Sequence, residues 1–229
     1  MAVASVDKVK ILVVGDSGVG KSSAVTLMCH NQPINNPTWT IGCSIEVKLH
    51  EFREGTPSQK TYFVELWDIG GSSSHSNTRS VFYNAFHGVI LVHDLTNRKS
   101  HENLRKWLAE ILCRESPSRK GFDFDQEMFA DSPVPLLLVA TKSDLVQDFG
   151  DTSERSFAAS LAQQCGADHI FLDTHNAKSL APGSSNAVKL SRFFDKVIEK
   201  RFCSQGVNTY TTFTDRRRIV PPPKYSHVD

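Results

Sequence analysis

The chain has 229 residues, of which 39% are hydrophobic and 22% charged, with a formal net charge of +1. That length admits one α/β domain with a sizeable core and a short tail, and the charge balance excludes the broad basic field that nucleic acid would call for. Five dispersed cysteines (Cys29, Cys43, Cys113, Cys165 and Cys203) with no CxxC pair exclude a disulfide framework or a cysteine zinc site and fit a reducing compartment.

The apolar, β-branched run Val9–Val14 predicts a strand that stops at Gly15. It is too short for a signal peptide. A helix is expected from Lys21 to about Asn31. Strands follow at about Gly42–Arg53 and Lys60–Asp68, joined by a turn containing Gly55 and Pro57, so the pair reads as a hairpin. Gly88–Asp94 predicts the next strand, and Ser100–Arg114 a helix with Leu104, Trp107, Leu108 and Ile111 on one face. Val134–Thr141 predicts another strand, of buried-strand length and too short to span a bilayer. Phe157, Leu161 and Ala162 mark a further helix, and His169–Leu172 a last short strand. Leu190, Phe193, Phe194, Val197 and Ile198 form a helical stripe behind the candidate caps Ser184 and Ser185. This alternation predicts a mostly parallel sheet covered on both faces. Residues 116–132 read as a loop insertion. The tail 205–229, with Arg216–Arg218 and Pro221–Pro223, reads as extended or disordered.

Chemistry is concentrated in a few loops. Gly15-Asp16-Ser17-Gly18-Val19-Gly20-Lys21-Ser22 matches G-x4-G-K-[ST], with a strand before it and a helix after it. In such a loop Ser17, Gly18, Val19, Gly20, Lys21, Ser22 and Ser23 can surround phosphates with backbone N–H groups and a helix N-terminus. Lys21 is expected to reach the β- and γ-phosphates, and the Ser22 hydroxyl to ligate Mg²⁺. Thr141-Lys142-Ser143-Asp144 closes the strand 134–141 at the edge where such sheets bind ligands. An aspartate there can accept from guanine N1–H and the 2-amino group, a donor pair that adenine lacks. Asp68 closes another strand and is a candidate Mg²⁺ ligand through water. Gly71, three residues on, can offer its N–H to the γ-phosphate, and Thr40 can close over the metal when that phosphate is present.

GDSGVGKS, TIG, WDIGG and TKSD stand in the order and approximate spacing of Ras-superfamily small GTPases, which the chain resembles over about residues 7–202. GVILVHDLTN and SRFFDKVIEK are most similar to the Rab branch, and WDIGGS, 37–42 and 183–200 to its Rab-like members. The resemblance implies a three-layer α/β/α P-loop GTPase fold, α/β in class. Its mostly parallel six-stranded sheet should carry one antiparallel strand, in a domain spanning 1–204. It implies GTP and GDP as ligands with Mg²⁺. It further implies protein effectors, or chaperones and exchange factors of small GTPases, as partners, and it allows a homodimer.

The departures from the family pattern carry expectations of their own. Ser72 stands where the family places the glutamine that orients water, so intrinsic hydrolysis should be very slow. The segment 31–34 lacks the aromatic that stacks near guanine, so exchange should be fast. Thr141 replaces the usual asparagine. For the last base-contacting motif, Asp173 and Thr174 are the first choice, and Asn176, Ala177 and Lys178 the other register. Ala2 excludes N-myristoylation, and no cysteine follows Cys203 to be prenylated, so a cytoplasmic chain without a stable membrane anchor is expected. Two functional readings follow: a GTP/GDP switch that recruits partners, or a constitutively GTP-loaded scaffold with GTP as a structural cofactor. An ATPase or small-molecule kinase is disfavoured by Thr141–Asp144.

Overall fold

A computed structural model of the chain describes residues 7–112, 134–146 and 161–203. The insertion 116–132, the tail 205–229 and Phe157 lie outside the described residues. Six strands form one sheet: β1 (Lys8–Val14), β2 (Cys43–Phe52), β3 (Lys60–Ile69), β4 (Gly88–Asp94), β5 (Leu136–Thr141) and β6 (Asp168–Leu172). Their spatial order is β2-β3-β1-β4-β5-β6. β2 runs antiparallel to β3, while every other neighbouring pair is parallel. The expected mostly parallel sheet with one antiparallel strand is therefore present.

Alternation along the strands builds a core on each face. From β1, Val9, Ile11 and Val13 pack with α1 (Lys21–His30) and with the helix Ser185–Ile198 near the chain's end, through Leu27, Met28, Phe193 and Val197. Leu12 and Val14 point the other way, onto Leu104, Leu108 and Ile111, with Leu161 alongside. The sheet is thus the middle layer of three.

The helix read over Ser100–Arg114 is divided. α3 (Arg98–Glu102) begins two residues earlier, and α4 (Leu104–Leu112) follows after Asn103. Asn103 keeps helical angles (φ −72°, ψ −13°) and its N–H bonds the Lys99 carbonyl, so the run is nearly continuous. The stripe Leu104, Trp107, Leu108 and Ile111 is buried as its spacing required. Between β3 and β4 the chain makes three short helical turns, the middle one α2 (Ser76–Arg79). No apolar period announces them in the sequence. The helix Ser185–Ile198 is capped by the Ser184 hydroxyl accepting from the Ala187 N–H. It is tied to β2 by His50 Nε2 and Asp195 Oδ1 at 2.8 Å.

Burial depresses three histidines. The pKa of His93 is lowered to about 2 and those of His87 and His101 to about 4, desolvation being the largest cause in each. Below the unfolded value of about 6.5 the unfolded chain binds more protons. Each such histidine therefore removes stability at about 1.4 kcal/mol per pH unit as pH falls from there towards its folded pKa. Urea midpoints are expected to fall steadily from pH 7 to pH 5, and less steeply for His93→Asn. A midpoint unchanged over that interval would contradict the neutral burial of these rings.

Candidate functional site

The carboxyl ends of β1, β3, β4, β5 and β6 share one edge of the sheet, and chain direction diverges around β1. The loop after β1 lies in that crevice. A side chain at Gly15 (φ +152°) would place Cβ 2.1 Å from the Val92 carbonyl oxygen, so glycine lets the loop lie against β4. Lys21 opens α1 and is buried, with Nζ donating to the carbonyls of Gly15 (3.0 Å) and Asp16 (2.9 Å). Burial lowers its pKa, opposed by the charges of Asp68 and Asp16.

Ser22 stands at the centre of an oxygen cluster. Its hydroxyl donates to Asp68 Oδ2 at 2.5 Å and lies 2.9 Å from Thr40 Oγ1, which in turn donates to the same Asp68 oxygen at 3.0 Å. α1, the loop before β2, and β3 thereby meet at three side chains. Asp68 is buried, and its Oδ1 has no hydrogen-bond partner among the described residues. Burial raises its pKa, with the Ser22 hydrogen bond, Lys21 and Thr40 pulling the other way. A buried carboxylate with an orphaned oxygen beside two hydroxyls suits a small, hard divalent cation that keeps waters and phosphate oxygens as its remaining ligands. A cleft of about 300 Å³ opens beside the cluster, lined by Ser22, Thr40 and Asp68 together with Val25, Ile34 and Trp39.

The residues after β3 touch both neighbouring loops. The Gly70 N–H bonds the Gly42 carbonyl at 2.9 Å. A Cβ on Gly71 would lie 2.5 Å from the Asp16 carbonyl carbon and the Gly15 carbonyl oxygen. The Ser72 hydroxyl lies 2.7 Å from that of Ser74.

At the far side, β5 ends in Thr141, fully buried, whose hydroxyl is shared between the carbonyls of Val19 (2.6 Å) and His93 (3.0 Å). Thr141 therefore ties the strand end to the loop after β1. Thr141→Val keeps the shape but leaves two buried carbonyls without this donor. It is expected to lower unfolding stability by about 1–3 kcal/mol, with Thr141→Ser restoring it. A change below about 0.5 kcal/mol in urea unfolding would contradict the tether.

Lys142 adopts left-handed angles (φ 57°), an uncommon conformation for a non-glycine residue. Its Nζ pairs with Asp94 Oδ2 at 2.5 Å, while Asp94 Oδ1 accepts from the Thr96 N–H and hydroxyl. Burial works to raise the Asp94 pKa, but the hydrogen bonds from Lys142 and Thr96 prevail and hold it below the usual carboxylate range. Ser143 and Asp144 sit in the short turn that follows. The Asp144 carboxylate is exposed and has no partner among the described residues.

The β5–β6 register pairs Thr141 with Leu172, so Asp173 and Thr174 leave β6 at the same edge at which Lys142 and Ser143 leave β5. Thr174 is buried, and Asp173 Oδ1 accepts from the His175 N–H. Asn176, Ala177 and Lys178 come further along, where Asn176 Oδ1 accepts the Lys178 N–H and caps a short turn. Two participants escaped the sequence reading. Asp94 ends a strand as Asp68 and Asp144 mark theirs, which was the available signal. Asp16 has both carboxylate oxygens held, by Asn103 Nδ2 (2.7 Å) and Trp107 Nε1 (2.8 Å), and nothing in the spacing pairs those residues.

A sheet of this order, with phosphate-type loop, oxygen cluster and strand-end carboxylate gathered at one edge, has the architecture of a small GTPase. The Ras family model matches residues 10–181, and the chain belongs to the Ras family, as a Rab-like small GTPase. It is 54% identical over 225 residues to Rab-like protein 3 of Xenopus tropicalis, covering 95% of each chain. It is 51% identical over 224 residues to Rab-like protein 3 of Homo sapiens, covering 94% of this chain and 95% of that one. Similarity to Small GTPase LIP1 of Arabidopsis thaliana is 36% over 156 residues, or 62% of this chain and 43% of that protein. Members of the family generally bind GTP and GDP with Mg²⁺ and hydrolyse GTP. Among the described residues, no helix is long and apolar enough to cross a membrane.

Proposed function

We propose that this chain is a GTP/GDP-dependent switch whose first loop, 31–42, reports the third phosphate to protein partners. The observation that carries the reading is the Ser22–Thr40–Asp68 cluster. Thr40 is the loop's member of that cluster, and its neighbours Trp39 and Ile41 are 91% and 85% exposed. Any change in what Thr40 holds must therefore move two large apolar side chains at the surface, which a partner can read.

In this reading 17–23 and Gly71 hold the phosphates through backbone N–H groups, Lys21 and hydroxyls. Ser22 and Thr40, with Asp68 through water, hold Mg²⁺, which when bound neutralises phosphate charge. Asp144 accepts from the guanine edge, and the Asp94-anchored Lys142 borders the base. Asp173 and Thr174 are the preferred final contact, a reading supported by their following Leu172, the β6 residue paired with Thr141. The segment 31–34 offers no aromatic to hold the base, so exchange is fast.

Ser72 supports a second reading, a scaffold loaded with GTP throughout. Its hydroxyl is engaged by Ser74 and is too short to orient water as glutamine does. Bound nucleotide followed by chromatography after GTP loading separates the two. Conversion to GDP over hours supports the cycling switch, and persistence supports the scaffold. In either case Ser72→Gln is expected to hydrolyse at least about tenfold faster, a barrier lower by about 1.4 kcal/mol. Equal rates for the two proteins would contradict the role given to position 72.

A further inference from the structure

We propose that Arg79 is a positioning residue that clamps the segment after β3, residues 72–83, onto α4, so that this segment keeps its place whichever guanine nucleotide is bound. Arg79 lies in α2 and is 6% exposed. Its guanidinium grips Glu110 of α4 with two bonds, Nε to Oε1 at 3.2 Å and Nη2 to Oε2 at 2.9 Å. The third nitrogen, Nη1, donates to the Ser72 carbonyl at 3.3 Å, and the guanidinium carbon sits 4.1 Å from the Trp107 ring centroid. Tyr83 closes the other end, its hydroxyl donating to Glu110 Oε1 at 2.8 Å.

Tyr83 at one end and Arg79, which holds the Ser72 carbonyl at the other, thus converge on one carboxylate. A forked guanidinium fixes orientation as well as charge, which a point-charge ammonium does not. Trp107 carries the connection onward, since its Nε1 donates to Asp16 in the loop after β1. Between the ends, Ser74 and Thr78 make local bonds, to Ser72 and to the His75 carbonyl. No contact in the clamp involves Ser22, Thr40 or Asp68. Order in 72–83 is therefore supplied by α4 and is separate from the oxygen cluster that holds the first loop. The consequence is an asymmetric switch: the first loop responds to the third phosphate, and the second is held in advance.

The proposal rests on guanine-nucleotide binding as read above. The test is amide hydrogen exchange across 72–83 in the full chain loaded with GDP or with a non-hydrolysable GTP analogue. Wild-type rates are expected to agree within about threefold between the two forms. Arg79→Ala should exchange at least about tenfold faster around Ser72 with GDP than with the analogue, because the phosphate contacts then become the main restraint on that end of the segment. Glu110→Gln should move the same way, and it keeps the test open should Arg79→Ala fail to fold. Arg79→Lys, which keeps the charge and loses the fork, should fall between wild type and Arg79→Ala. A wild-type difference above about threefold would overturn the clamp, as would variants accelerated equally in both forms, the mark of a merely structural contact. Bound nucleotide is quantified on the same samples. A chain that takes up none would fail the proposed function, and the clamp would then be read from wild type against the variants without nucleotide, equal exchange overturning it.

Discussion

Asp144→Ala is expected to lower GDP and GTP affinity by about 10²- to 10⁴-fold, the loss of two charge-assisted hydrogen bonds worth about 1.5–3 kcal/mol each. The geometry makes this a clean test. Asp144 is exposed and has no partner among the described residues, so its removal should leave unfolding stability without nucleotide within about 0.5 kcal/mol. Its place is set by neighbours that the substitution spares. Thr141 ties the strand end to Val19, Lys142 makes the left-handed turn, and Asp94 holds the lysine head. Titration with GDP, with ATP as the control base, measures the effect. GDP affinity within threefold of wild type would remove Asp144 from the base site.

Gly71→Ala should separate the two nucleotides. The added methyl would meet the backbone of Gly15, Asp16 and Ser17 at 2.5–2.6 Å, closer than real Cβ contacts come, and backbone cannot yield as a flexible side chain can. The backbone at Gly71 must then lift from the phosphate-type loop. A contact to the third phosphate is lost, and GTP affinity should fall by about 10- to 100-fold, the worth of one charged hydrogen bond. GDP, which lacks that phosphate, should bind within about threefold of wild type. Competition between labelled GDP and a non-hydrolysable GTP analogue gives the ratio. Equal losses for the two ligands would place Gly71 outside third-phosphate recognition.

The features that could be read in the sequence are those encoded by neighbours in the chain. β-Branched runs ending in Gly15, Asp94 and Thr141 located the strand ends, and parallel alternation then forced those ends to one edge. The helical stripe at Leu190–Ile198 was buried as its period required. Thr141–Asp144 was readable because turn and carboxylate are adjacent. What escaped depends on long-range packing. Asp16 finds Trp107 and Asn103 across 91 and 87 residues, and Arg79 finds Glu110 across 31. An arginine in a serine-rich stretch gives no sign that it will be buried against a tryptophan. Thr141 shows the same limit from another side. Its place in Thr141–Asp144 marks it as part of a guanine-contacting motif, and packing engages its hydroxyl with the loop after β1, a role that composition and spacing do not reveal.

The central claim is that guanine nucleotide with Mg²⁺ occupies the edge formed by the loop after β1, the Ser22–Thr40–Asp68 cluster and the Thr141–Asp144 turn. The most direct test is to incubate the purified chain with Mg²⁺ and equal GTP and ATP, remove free ligand, and identify the bound nucleotide by chromatography. The account predicts guanine nucleotide, as GTP or as GDP derived from it, with ATP at background. Bound ATP in comparable amount, or no bound nucleotide, would contradict it.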